Sequence, residues 1–185
     1  MTRRFFLPLL LLTAIVGPAR AQQAQAPLRQ PDVIFVPTPQ EVVDAMLKLA
    51  KVGPNDIVYD LGSGDGRIPI TAAKTYGARG VGIDIDPQRI REANENLKAA
   101  GVGDKVKFLN QDLFTTNISE ATVVTMYLLP TLNVKALPKL NAELKPGTRV
   151  VSHAFDIEGY PPQETINVNG RTVYMWTVPI RKAAQ

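Results

Sequence analysis

The chain has 185 residues, 21 of them lysine or arginine and 17 aspartate or glutamate, with one histidine and no cysteine. The missing cysteines exclude disulfides, thiolate metal sites and cysteine nucleophiles, and a single histidine offers no histidine cluster for a metal. Residues 1–21 hold three arginines and no acid, so without them 18 bases face 17 acids and the formal charge falls from +4 to +1, too little for a nucleic-acid footprint.

Residues 1–21 have the pattern of an export signal. Arg3 and Arg4 precede an apolar run from Phe5 to Val16, and Ala19-Arg20-Ala21 sets small residues before a cleavage point at Gln22. The run is shorter than the ~20 apolar residues of a spanning helix. No later run is long enough either, so no membrane span is expected once the signal is removed. Thr2-Arg3-Arg4-Phe5-Phe6-Leu7 fits the twin-arginine pattern, whereas the leucine-rich core fits the general secretory route. Both routes stay open, and either gives an exported protein, periplasmic or secreted. A true start downstream of the signal would make the protein cytoplasmic instead. Residues 22–33 read as a flexible leader, and residues 34–182 suit one domain with a full core.

Thr38-Pro39-Gln40-Glu41 opens the first helix, with Thr38 and Glu41 at capping-box spacing and Pro39 in the first turn. Val43, Leu47 and Ala50 supply its apolar face, and Gly53-Pro54 ends it. A strand over 56–61 is followed by a helix from about Arg67 to Tyr76, stopped by Gly77. The second strand covers 79–85, and Asp86-Pro87 caps a helix that ends at Gly101. Strands follow at 105–110, 122–129 and 148–155, with a helix over 131–144 between the last two. Such alternation predicts a parallel sheet covered on both faces. At the end, ETINV and RTVYMWTV flank Asn169-Gly170, a strong hairpin signal, so an antiparallel pair closes the sheet.

Residues 59–67 read YDLGSGDGR. The spacing Gly62-x-Gly64-x-Gly66 departs from the G-x-G-x-x-G dinucleotide fingerprint, and no G-K-[ST] follows to make a phosphate loop. Asp60 and Asp65 would oppose a pyrophosphate and suit an ammonium or sulfonium. Asp84 ends the second strand, 18 residues past Gly66, where an acid accepts hydrogen bonds from ribose hydroxyls. Asp112 follows the third strand, with Leu113 and Phe114 beside it, placed to meet an adenine amine and flank its ring. A nucleoside that is cationic and carries no phosphate is S-adenosylmethionine. Asp60, Gly62, Ser63, Gly64, Gly66, Asp84, Ile85, Asp112 and Leu113 are its candidate binding residues.

These motifs look like those of class I S-adenosylmethionine-dependent methyltransferases. That resemblance implies a Rossmann-like α/β fold: a doubly wound, seven-stranded, mostly parallel sheet whose last strand runs antiparallel between strands five and six. It places Asp60 near the amino-acid end of the donor, Asp84 on the ribose and Asp112 on the adenine amine. IFVPTPQEVVDAML, DIVYDLGSGDGRI, ISEATVVTMYLLP and ELKPGTRVVSHAFDI resemble the archaeal protein-lysine methyltransferases and, more distantly, the mitochondrial lysine methyltransferases. This closer resemblance covers about residues 34–180 and implies a protein substrate with an accessible lysine. It also implies that Pro37 and Thr38 lie near the substrate entry.

Methyl transfer from a sulfonium disperses charge, so the protein's task is alignment and exclusion of water. The end of the fourth strand and the start of the loop after it hold Met126-Tyr127-Leu128-Leu129-Pro130 and lack the N-P-P-Y of enzymes that methylate bases or glutamine. Tyr127 is the candidate for orienting the acceptor amine. His153, inside VVSHAF, reads as a packing residue. Two alternatives stay open: a small-molecule methyltransferase or aminopropyltransferase of the same fold, taking a small amine, and an exported non-catalytic nucleoside-binding relative. The oligomeric state is not legible in the sequence.

Overall fold

A computed structural model describes residues 28–183; the expected signal at 1–21 and the leader up to 27 lie outside them. The described residues form α1 (Gln40–Leu49), β1 (Ile57–Leu61), α2 (Arg67–Tyr76), β2 (Arg79–Asp84), α3 (Pro87–Ala100) and β3 (Val106–Asn110). After these come β4 (Val123–Met126), α4 (Pro130–Glu143), β5 (Arg149–His153), β6 (Glu164–Val168) and β7 (Arg171–Thr177). The sheet order is β3-β2-β1-β4-β5-β7-β6. The first five strands are parallel, and β7 runs antiparallel to both β5 and β6. This is the Rossmann-like sheet expected, hairpin included.

Strand periodicity distributes the core. Val58, Val123 and Val151 pack with Val42, Met46 and Leu47 of α1 and Ile68 and Ala72 of α2. Their neighbours Tyr59, Val124 and Val150 point to the opposite face, against Ala136, Leu137 and Leu140 of α4. Both faces are therefore apolar and covered, which is why the strands read as continuous hydrophobic runs. The winding reverses between β1 and β4, and the carboxyl ends of the strands there open a crevice, the place where such sheets bind ligands.

Two local expectations are corrected. Pro39 is the N-cap of α1 and no side chain caps the helix. The Thr38 hydroxyl lies instead 3.2 Å from Nδ1 of His153, across the buried space beneath the helix start. Both groups are buried, and leaving an imidazole unpartnered there costs more than a surface cap contributes. The strand expected over 122–129 ends at Met126, because Tyr127 to Leu129 leave the sheet to reach Pro130 at the first turn of α4. Elsewhere local signals hold. The Asp86 carboxylate caps α3 by accepting from the Gln88 N–H at 2.7 Å, and Gly101 closes the helix in a left-handed conformation.

Candidate functional site

A cavity of about 610 Å³ opens at the carboxyl ends of β1, β2 and β4. Asp60 and Leu61 end β1, and the chain turns through Gly62-Ser63-Gly64-Asp65-Gly66 into α2. Gly62 and Ser63 line the cavity, whereas Gly64 and Gly66 do not. Those two glycines meet conformational and packing demands. Gly64 has φ +52 and a Cβ there would fall 2.1 Å from a ring carbon of Phe35; Gly66 has φ +80 and its Cβ would fall 2.3 Å from the Phe108 ring. Gly64 still acts on the site, since its N–H donates to Oδ2 of Asp84 at 2.8 Å.

Asp60 is buried at the cavity floor, and its Oδ1 accepts from the Thr125 hydroxyl at 2.8 Å. Burial pushes its pKa up to about 8; the Thr125 bond opposes the rise, while the charges of Asp84 and Asp65 add to it. The carboxyl is thus held mostly protonated near neutral pH, a condition a cationic partner would reverse. Asp65 is not the free acid the sequence suggested. Its carboxylate is paired with Arg67 at 2.6 Å, and the same guanidinium donates through Nη1 to the Thr38 carbonyl at 2.8 Å. Ser63 Oγ is buried with no hydrogen-bond partner among the described residues, an open donor and acceptor for a polar ligand atom.

Asp84 and Ile85 continue the lining. The Asp84 carboxylate accepts the Asp86 N–H at 2.9 Å through Oδ1, besides the Gly64 bond. Burial raises its pKa, and the two N–H bonds moderate the rise. Asp112 and Leu113 follow β3 on the adjoining wall. Burial is the largest single influence on the Asp112 carboxyl and works to raise its pKa, but the Arg29 bond, the Phe114 N–H and the charges of Arg29 and Lys135 together outweigh it, and the carboxyl lies below its usual range. Arg29 reaches it through Nε at 2.7 Å and Nη2 at 3.3 Å. Sequence reasoning missed Arg29 because its partner lies 83 residues away.

On the other side, Tyr127 lines the cavity and its ring centroid lies 4.0 Å from that of His153, with Phe155 beyond at 6.2 Å. His153, expected only to pack, also holds Thr38, and burial lowers its pKa, with the Arg171 charge adding to the effect. Pro37 and Thr38 line the cavity together with Ile34 and Phe35, so residues 31–38 form one wall. Phe35 lies against Gly64, with the Arg89 guanidinium 4.9 Å from its ring centroid. No group of three or more metal-ligating side chains occurs among the described residues.

The lining thus carries six aspartates (32, 60, 65, 84, 86 and 112) and three arginines (29, 67 and 89), with apolar walls between them. A buried acid held near its neutral form, an unpartnered hydroxyl and two strand-end carboxylates fit the ammonium and adenosine parts of S-adenosylmethionine.

Comparison with known proteins agrees with that geometry. A family model for the ANTKMT methyltransferase domain matches residues 60–164. A protein-lysine N-methyltransferase of Saccharolobus islandicus (strain REY15A) is 51% identical, across 80% of this chain and 95% of the relative. The adenine nucleotide translocase lysine N-methyltransferase of Mus musculus is 31% identical, across 83% of this chain and 66% of the relative. A crystal structure of an RNA methyltransferase from Salinibacter ruber in complex with S-adenosyl-L-homocysteine superposes with a TM-score of 0.78. It is 56% identical and covers 81% of this chain and 98% of its own. The Saccharolobus and Salinibacter proteins, each more than half identical to this chain, therefore differ in the acceptor named for them, a protein lysine in one and RNA in the other.

Proposed function

The chain belongs to the S-adenosylmethionine-dependent methyltransferases of the ANTKMT family, and we propose that it methylates lysine side chains of a protein substrate. When bound, S-adenosylmethionine supplies a methyl group on a sulfonium, electrophilic toward an amine. The residues that would hold it are those of the acidic crevice. Asp60, ionised by the approach of an ammonium, would pair with the amino-acid end. Ser63 and the turn at Gly62 would receive its polar atoms, with Gly64 and Gly66 shaping that turn. Asp84 and Ile85 would take the ribose, and Asp112 and Leu113 the adenine edge.

A lysine amine has a pKa near 10.4 in water and must arrive neutral to act as nucleophile. The apolar wall formed by Leu128, Leu132 and residues 33–37 supplies the desolvation that favours the neutral amine. Tyr127, which lines the cavity with its ring tilted against that of His153, is the side chain we assign to orient it.

The observation that carries lysine over RNA is the charge of the lining, two acids for each base, with no lysine in it. A polyanion needs the opposite balance along its path. The tetrapeptide N-P-P-Y of base-methylating enzymes is also missing after β4, where the chain reads Met126-Tyr127-Leu128-Leu129.

The test uses cell extract, labelled donor and Asp60→Ala as the inactive control. Label in material sensitive to protease and resistant to ribonuclease supports lysine methylation. Ribonuclease-sensitive label favours the RNA reading, and label confined to small molecules favours a small amine acceptor. We also infer export, directed by residues 1–21. Fractionation that recovers the protein beginning at Gln22 outside the cytoplasm supports it, and full-length protein in the cytoplasm contradicts it.

A further inference from the structure

Six large hydrophobic residues are exposed among the described residues, and they lie on two segments: Leu28, Ile34, Phe35 and Val36 before α1, and Leu129 and Val134 at the start of α4. Both segments border the cavity mouth, the first directly and the second through Leu128 and Leu132. Scattered exposed apolar residues need no explanation, whereas six gathered around one opening mark a contact surface. Exposure is greatest at Ile34, 86%, and at Val36, 51%, on either side of Phe35, which packs against Gly64. That alternation is strand-like, yet residues 33–37 belong to no strand and make no backbone–backbone hydrogen bond among the described residues. The N–H groups of residues 33–36 and the carbonyls of residues 33–37 are free to pair with a second extended chain, Pro37 having no N–H to offer.

The geometry points to a peptide as the occupant: an extended segment of the protein substrate that pairs with residues 33–37 and carries apolar side chains on both sides of its acceptor lysine. This inference rests on the lysine reading above and names the sequence context it selects. Ile34 and Val36 would receive one flank, Leu129 and Val134 the other, and the lysine would enter the cavity past the apolar wall of Leu128 and Leu132, which favours its neutral amine. Electrostatics favour this occupant over a lipid surface. The two segments carry Arg29 and Lys135 as their only cations; Arg29 is paired with Asp112 and Asp32, and Lys135 sits 4.0 Å from the Phe114 ring centroid. A membrane-facing rim would instead hold several unpaired lysines or arginines.

Two peptides with one central lysine test it, one flanked by valine and leucine, the other by serine and glutamine. Wild type, Ile34→Asp and Leu129→Asp are assayed for methyl transfer, with S-adenosylhomocysteine affinity measured by calorimetry. The expected result is a KM about tenfold lower for the apolar peptide with wild type, falling to less than about twofold in each variant, while product affinity in Leu129→Asp, outside the cavity lining, stays within about twofold. Equal KM values with wild type, or variants that keep the tenfold preference, overturn the docking surface and leave lysine methylation standing. Failure to methylate either peptide while the donor binds overturns the lysine reading beneath it. Co-sedimentation of wild type with phosphatidylcholine–phosphatidylglycerol vesicles, lost in Ile34→Asp, would make the rim a lipid contact and overturn the peptide.

Discussion

Asp60 ties the stability of the fold to its chemistry. Its folded pKa of about 8 stands well above the ordinary 3.8, so between those values the native state holds a proton that the unfolded chain has released. Stability contributed by that proton is full below the unfolded value and is lost as pH rises through the folded one, at up to roughly 1.4 kcal/mol per pH unit. Asp60→Asn keeps the acceptor for Thr125 and removes the ionisation. The variant is therefore expected to unfold at higher temperature than wild type, by a margin that grows from pH 5 to 8 and then levels off. The same proton opposes binding of a cationic donor. Affinity of wild type for S-adenosylhomocysteine should rise by up to about tenfold per pH unit between pH 6 and 8, and Asp60→Asn should bind weakly with no such slope. A flat calorimetric profile for wild type would place the ammonium elsewhere.

The segments around the crevice are held by contacts that cross the sheet. Thr38 joins residues 31–38 to β5 through His153 and to α2 through Arg67. Thr38→Val keeps the shape but strands a buried imidazole nitrogen. It is expected to cost about 1–3 kcal/mol in denaturant unfolding and to raise the acceptor KM, with Thr38→Ser restoring both. Gly66→Ala forces a methyl onto the Phe108 ring at positive φ and should cost on the order of 1–3 kcal/mol in the same measurement.

These contacts also explain what could be read in advance. Helix ends and the hairpin follow from signals within a few residues: Asp86-Pro87, Gly77, Gly101 and Asn169-Gly170 behaved as local chemistry predicts, whereas the place of the last strand between the fifth and sixth was legible only through the family resemblance. Thr38 satisfied a local capping rule and then went to a partner 115 residues away. The Arg29–Asp112 pair is equally non-local, and no spacing rule reveals either. The Asp65–Arg67 pair, two residues apart, was available to inspection, and reading Asp65 as a free acid overlooked it.

For the molecule as a whole, the position of the crevice follows from topology, because the winding reverses between β1 and β4 and leaves their carboxyl ends open. Its selectivity follows from what fills that opening: aspartates inside, apolar residues at the mouth, and few free cations to meet a polyanion. Relatives more than half identical to this chain are named for both protein and RNA acceptors, so fold and donor do not decide between them. The most direct measurement is mass spectrometry of extract proteins after incubation with donor and either wild type or Asp60→Ala. Methylated lysines that appear with wild type alone are the expected result. Unmodified lysines beside methylated nucleotides in the RNA of the same reaction would contradict it.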